Sequence, residues 1–402
     1  MDGSNRIQHP YRSLSMVAGT HAFTHMYYAL IPLIYPFIVV EFGIGYAAIG
    51  LMELVSRFVG GLLQGPAGLL GRIIPRNILL GLNNILLALS MGFLGISPTY
   101  AAFFAANVLG RLAQTPQHPI GTSLISEWFG KKMRGITFAI NYSGANAGGL
   151  IVPMIAAGLF TLIGWRGTIA VFAIPGLVFG GLTILMLTTA GKAVATEDGK
   201  SKLSGDLRKV LKDRNLLLTL IASSLSAGGR GLAVMHIFIP LYLSDTKQDG
   251  LGMDTVTVSI LFTILLIGSV IGPLILGRVS DRYGRTRTIS LILLMSGVFP
   301  ILLILSGGNL SLIIPILLAI GFSSYTYSSL YQTMVADVAE PNIRDMAFSL
   351  YFFLSFGIGA IWTFLLALIA DLYGFQPLFI ISALAPLSAL PFTLAVKERA
   401  ES

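Results

Sequence analysis

Apolar residues run along this chain in blocks of about 18 to 30, and the charges collect in short stretches between them. A helix needs roughly 20 such residues to cross the hydrocarbon of a bilayer. A soluble protein of this length would need polar faces on its helices, and run after run of these blocks has none. The pattern predicts twelve helices, at about 14–40, 46–69, 78–96, 99–126, 135–163, 167–188, 215–243, 255–276, 288–305, 310–336, 343–372 and 375–396. The first block is too long for a cleaved signal peptide and lacks a small-residue cleavage site, so it is expected to stay as the first span.

Composition agrees, with 11% charged and 54% apolar residues against about 25% charged in ordinary soluble domains. The net charge of +8 raises the question of nucleic acid. Of the 26 Lys and Arg, however, all but Arg57, Arg111, Arg166, Arg230 and Lys247 fall in the termini and the even-numbered loops. That is the positive-inside distribution, so no nucleic-acid partner follows. It places both termini in the cytoplasm and the protein in the inner or plasma membrane. Zero cysteines exclude disulfides, thiolate metal sites and thiol catalysis. No nucleophile triad or phosphate loop appears, so an enzyme is not expected, and no cofactor is implied.

One loop stands out. Between the eighth and ninth blocks lies Gly277-Arg-Val-Ser-Asp-Arg-Tyr-Gly-Arg-Thr-Arg287, eleven residues with five charges. Gly277 and Gly284 are expected to permit a tight reversal. Gly277, Asp281, Arg282, Gly284, Arg285 and Arg287 reproduce the signature G-x-x-x-D-R-x-G-R-(x)-R, which resembles the major facilitator superfamily. That resemblance implies twelve transmembrane helices in two pseudo-symmetric six-helix bundles, with the substrate at the midplane and alternating access by rocking. The expected bounds are 1–189 for the first bundle, 190–213 for a cytoplasmic linker with one surface helix, and 214–402 for the second. In the family the motif braces the cytoplasmic gate. The first-half copy, Gly65 to Arg76, is degraded, with the Asp position read as apolar at Leu69 or Leu70. The expected result is a one-sided latch, Asp281 meeting the start of the fifth span near Arg134.

An internal repeat supports two halves. A shift of 210 residues puts Glu127 on Asp337, Arg134 on Arg344, Phe138 on Phe348, Gly149 on Gly359, Gly164 on Gly374 and Trp165 on Phe375 without a gap.

Candidate chemistry lies in the ionisable groups inside the blocks, because a charge at membrane depth is costly and by default marks a functional site. Counted from the block ends at 1.5 Å per residue, Arg57, Arg111 and Arg230 fall about 16 to 22 Å in, near the midplane. Glu53 is the one obvious carboxylate at that level, so the balance is positive and an anionic substrate is expected. Glu53 and Arg57 are spaced i, i+4, which also allows a plain internal ion pair. Asn107, Arg111, Gln114 and His118 form one polar stripe on the fourth span. Arg111-x-x-Gln114 resembles the family motif R-x-x-Q-G, with Thr115 in the place of Gly; in the family that Arg is associated with proton coupling, while a packing strut is the plainer alternative. His21 and His25 are also i, i+4, with Tyr28 one turn on, and His25 and His118 suit a proton relay. Zinc is disfavoured, because no Cys, Asp or Glu completes a tetrahedral set.

On the seventh span Arg230 sits among Gly228, Gly229 and Gly231, which suggests a hinge. The tenth offers Tyr327 and Tyr331 on one stripe with Ser324 and Ser328. Gly135, Gly144, Gly148, Gly149 and Pro153 of the fifth span partly resemble an antiporter motif, but close packing explains them equally well. A narrower likeness is carried by His21-Ala-Phe-Thr-His-Met-Tyr27, Ile31-Pro-Leu-Ile-Tyr-Pro36, Ile49-Gly50 and His118-Pro119, which resemble the fosmidomycin-resistance branch, exporters of a phosphonate anion. The expected function is a monomeric, proton-coupled secondary transporter of a small organic anion, a carboxylate or a phosphonate. Arg57, Arg111, Arg230, Gln114, Tyr28, Tyr327 and Tyr331 would bind it, and His21, His25, His118 and Glu53 would handle protons. The gate would use Asp281, Arg282, Arg285, Gly277, Gly284 and Arg134. Proton-coupled efflux of amphipathic drugs is the alternative, and a non-transporting sensor on the same fold a third reading.

Overall fold

The computed structural model describes residues 10–71, 73–129, 131–187, 203–340 and 343–397, and in these every regular element is helical. The helices are α1 (Pro10–Phe42), α2 (Tyr46–Leu70), α3 (Arg76–Ile96), α4 (Tyr100–Ala113), α5 (Gln117–Trp128), α6 (Lys131–Met186), α7 (Leu203–Lys212), α8 (Arg214–Leu225), α9 (His236–Ser244), α10 (Thr255–Tyr283), α11 (Arg285–Leu305), α12 (Leu310–Ser324), α13 (Tyr327–Val338), α14 (Arg344–Tyr373), α15 (Phe375–Ser388) and α16 (Leu390–Leu394). Among the described residues ten stretches are long and apolar enough to span a membrane. One of them, Gly144–Met186, bends through Gly164 at φ 69° and holds two predicted spans. The fourth predicted span is divided into α4 and α5, each too short to be counted by itself. Twelve crossings result.

The ends of the elements have local causes. Thr99, Asp213, Asp254 and Asn309 accept backbone N–H groups at the starts of α4, α8, α10 and α12, the usual N-cap work of short polar side chains. Gly284, at φ 94°, makes the whole reversal between α10 and α11. Gly277 does not share in it, contrary to expectation. It lies inside α10, because nothing between Gly277 and Tyr283 breaks the helix. The linker's surface helix is α7; the preceding stretch, 188–202, lies outside the described residues.

The repeat is visible in the elements themselves. Shifted by 210, α4 and α5 begin where α12 and α13 begin, and α5 ends where α13 ends. Shifted by 209, α3 coincides with α11 at both ends, and α2 starts with α10. Gly164 and Gly374 both take positive φ, at 69° and 88°.

By contacts the chain forms two units, residues 1–38 with 59–196, and residues 39–58 with 197–402. In the first unit Leu14, Val17, Leu80, Leu124 and Ile125 build one core cluster. In the second, Leu216, Ile289, Tyr327, Tyr331 and Val335 build another. Outside these cores long apolar side chains stay exposed, Leu162 at 79% and Leu305 at 72%. Such a surface suits hydrocarbon and would be an aggregation hazard in water. Glycines set the closest crossings: a Cβ on Gly321 of α12 would overlap the Leu265 carbonyl of α10, and one on Gly148 of α6 would lie 2.6 Å from the Ala22 carbonyl of α1. Membrane helices pack through such small residues.

Candidate functional site in the broken helices

In the first unit α1, α4 and α5 bring the polar stripe together. The predicted stripe needs an unbroken helix, and the helix breaks at Gln114–Pro116. The break splits it into two clusters, both facing α1. In one, the Arg111 guanidinium carbon stands 4.4 Å from the centre of the Tyr28 ring and 5.7 Å from that of Tyr27, and Tyr27 donates its hydroxyl to Asn107. In the other, the His21 ring meets His25 at 4.8 Å and His118 at 5.0 Å, edge to face in both cases. Asn141 of α6 lies against His21, and Gln117 donates to the Thr20 hydroxyl at 3.1 Å. Both polar atoms of the Gln114 amide are buried without a hydrogen-bond partner.

The break itself is supported from α3. The Asn83 amide, turned with its nitrogen toward α4, donates to the Ala113 carbonyl at 2.8 Å and to that of Gln114 at 3.3 Å. The break diverts the Gln117 N–H from the Ala113 carbonyl to that of Gln114, at 3.1 Å, and in a membrane a carbonyl that loses its helical partner must be satisfied internally.

Acidic residues are few in the sequence of the first unit. Between residues 10 and 38 and between 59 and 187 the sequence has one acidic residue, Glu127. It is taken by Arg76, which donates to both of its carboxylate oxygens, at 2.5 and 2.8 Å. Among the described residues no group of three His, Cys, Asp or Glu is arranged to hold a metal ion.

In the second unit the predicted weak point of the seventh span is a true break. A 3-10 turn, Ser226–Gly229, ends at Arg230, whose backbone is extended at φ −68°, ψ 132°, and a π-helical turn, Gly231–Met235, follows. The freed carbonyls find side chains. Trp362 donates to Ser224 at 3.3 Å, Tyr327 to Ser226 at 2.7 Å and Ser382 to Gly228 at 2.8 Å. Arg230 is buried and donates to the Ser355 carbonyl at 3.1 Å and its hydroxyl at 3.2 Å, while its Nε is without a partner. Tyr327 and Tyr331 are fully buried, and Tyr331 bonds Thr393 at 2.9 Å. Their hydroxyls thus serve the helix break and the core, a role the stripe pattern alone did not disclose. Glu53 and Arg57 form the i, i+4 ion pair at 2.6 Å that their spacing allows.

Of the predicted gate residues, Arg285 donates to Asp281, to Ser280 and, at 3.1 Å, to Asp337. Arg282 lies over the Tyr283 ring at 5.4 Å. The side chain of Arg134 lies outside the described residues. Asn83, Asn141, Gln117 and Ser355 were not predicted for the site. Asn83 and Gln117 had a signal, as amides inside apolar blocks; Ser355, one hydroxyl among many, had none.

The family model described as Major Facilitator Superfamily matches residues 17–248 and 232–402. The chain belongs to the Major Facilitator Superfamily. Among its relatives is the fosmidomycin resistance protein of Escherichia coli (strain K12), 25% identical over 390 residues, 93% of this chain and 90% of that protein. Another is the uncharacterized MFS-type transporter YfnC of Bacillus subtilis (strain 168), 24% identical over 394 residues, 96% of this chain and 93% of that one. The fold is similar to that of a bacterial homolog to the human lysosomal transporter Spinster, crystallised inward-facing and unoccupied, with a TM-score of 0.79 at 14% identity, 98% of each chain being covered. The protein is therefore a multi-pass membrane transporter of that superfamily.

Proposed function

We propose that this transporter moves a small organic anion, a carboxylate or phosphonate, by alternating access coupled to protons, in a cell membrane with both termini cytoplasmic. The observation that carries the reading is the charge balance of residues 10–38 and 59–187 of the first unit: a buried Arg111 and three histidines, and a single acidic residue, Glu127, which binds Arg76. Arg111 supplies the charge and the planar donors for an anion, and the unpartnered Gln114 amide, three residues on, supplies a neutral donor. Arg230 is the candidate ligand in the second unit. Arg57 contributes less net charge, since Glu53 neutralises it.

The histidine cluster suits proton coupling. Three imidazoles in ring contact repel one another once charged, so a proton taken by one of them discourages a second. An anion at Arg111 lowers the cost of that proton, and the two bind with positive linkage. Likeness to a protein named for fosmidomycin resistance supports export as the direction.

The test is a thermal-shift series of carboxylates, phosphonates and inorganic anions on purified protein, followed by liposome uptake of any hit with and without an imposed pH gradient. Stabilisation by anions and gradient-dependent uptake that His21, His25 or His118 replacements uncouple are expected. Stabilisation by amphipathic cations alone would favour drug efflux and overturn the anion reading.

A further inference from the structure

The stretch 39–58, the end of α1 and the start of α2, is grouped by its contacts with the second unit, although the helices continue on both sides into the first. What fastens it is specific. Asp371, at the end of α14, accepts the Tyr46 N–H at 2.5 Å on one oxygen and the Ala47 N–H at 2.7 Å on the other. These are two of the donors that a helix start leaves unsatisfied, and a carboxylate there also meets the positive end of the helix dipole. The Tyr46 hydroxyl donates to Asp245 at 2.5 Å, and the Tyr46 ring packs on Phe375 with centroids 5.0 Å apart. Gln248 joins the two acids, its N–H donating to Asp245 at 2.8 Å and its side-chain amide to the Asp371 carbonyl at 3.3 Å.

The sequence has made room for this. A Cβ on Gly45 would overlap the Asp371 carboxylate, and one on Gly50 would overlap the Ala367 side chain. The feature belongs to one half. Residue 161, which the 210-residue shift places against Asp371, is Thr161, and its hydroxyl donates to the Gly158 carbonyl of its own helix.

The geometry points to Asp371 as a positioning residue of the transport cycle: a side-chain cap, supplied by α14, that latches the start of α2 to the second unit and must let go when 39–58 moves with the helices that flank it. The end of the chain involved is the one opposite the arginine-rich Gly277–Arg287 turn, so the latch would be the outer one. It rests on membership of a transporter superfamily and is independent of the anion reading, so either can fail alone.

The chain has no cysteine, which allows a single-cysteine readout. Ile49 is fully buried. In Ile49→Cys a membrane-impermeant thiol reagent is expected to react slowly, and several-fold faster when Asp371→Asn is added, since a neutral amide caps the two N–H groups weakly. Gly45→Ala, which pushes the carboxylate aside, is expected to act the same way and serves if Asp371→Asn does not fold. The control is Asp254→Asn. Asp254 caps α10 at Val256 and Thr257, at 2.9 and 3.1 Å, so its loss should lower the melting temperature and leave the labelling rate unchanged. Equal labelling in Asp371→Asn and its parent overturns the latch. An equal rise in Asp254→Asn, which signals general loosening, overturns it too.

Discussion

At the scale of single residues, two arginines that the sequence puts about equally far into their own spans have different neighbours. Arg57 is paired with Glu53 within its own helix, whereas Arg111 rests against the rings of Tyr27 and Tyr28. Arg111→Lys keeps the charge but loses the planar, two-point grip. It is expected to weaken anion binding by about 1.5–3 kcal/mol, the worth of a charged hydrogen bond, and to leave the melting temperature of the ligand-free protein close to that of the parent. Binding within about twofold of the parent, less than about 0.5 kcal/mol, would make Arg111 a strut. At the surface, Asp254 caps α10. The Thr257 hydroxyl, with the Thr257 and Val256 N–H groups, holds its carboxyl below the usual carboxylate range. A folded value below the unfolded one means that the cap's stabilisation is complete above the unfolded value, about 3.9, and disappears as pH falls through the folded one. The melting temperature of the parent relative to Asp254→Asn should therefore be constant near neutrality and fall only below about pH 4. A difference that persists to lower pH would show that the carboxylate is not the source.

At the scale of elements, the breaks in the fourth, seventh and tenth spans decide what the polar residues can reach, and they were unequally legible. The glycines around Arg230 announced the seventh. In the fourth, Pro116 offered a signal, but the regular i, i+3, i+7 spacing of Arg111, Gln114 and His118 argued for continuity, and the structure resolves that conflict in favour of a bend held by Asn83. The tenth, between Ser324 and Tyr327, has no proline or glycine in it, and only the repeat exposes it. A break costs carbonyl groups their partners, so the residues that supply replacements should be sensitive. Asn83→Ala strips the Ala113 carbonyl and leaves that of Gln114 with the Gln117 N–H alone, and is expected to destabilise by about 1–3 kcal/mol, with anion binding lost alongside, since Arg111 and Gln114 flank the bend. Gly231→Ala tests the other break. Its Cβ would overlap the half-buried ring of Tyr325, whose hydroxyl is held by His236 at 2.7 Å. A loss of about 1–3 kcal/mol is expected from overpacking, read as a fall in melting temperature. A Gly231→Ala variant as stable as its parent would mean that Tyr325 has room to move.

At the scale of the whole molecule, the fold was legible because a bilayer reduces the problem to blocks of apolar residues and a repeat. Lengths gave the spans, and the 210-residue shift the pairing of helices. The structure refines the register before the repeat's fourth helix: α2 and α3 match α10 and α11 at a shift of 209. At that register Gly277 falls on Gly68, Arg285 on Arg76 and Asp281 on Arg72. The apolar Leu69 or Leu70 expected against Asp281 thus gives way to Arg72, and the degraded copy of the motif carries the opposite charge there. The shared part is the arginine that opens α3 or α11 and binds the acid of the following span, Arg76 with Glu127 and Arg285 with Asp337. What the second half adds is a second carboxylate, Asp281, on the same guanidinium. The consequences can be separated. Asp281→Asn alone should cost little, because its carboxylate is 66% exposed and Arg285 keeps Asp337. Arg285→Gln should cost more, because two acids are then left facing each other without a cation between them. Adding Asp281→Asn to Arg285→Gln removes that repulsion and should recover part of the loss, giving a coupling energy of about 0.2–1 kcal/mol in a double-mutant cycle, as for exposed pairs. Melting at low and high salt checks it, since the coupling must shrink as salt screens the charges. If the double variant melts no higher than Arg285→Gln, Asp281 adds nothing to the bond between Arg285 and Asp337, and its place in the motif must be explained by contacts outside this pair of helices.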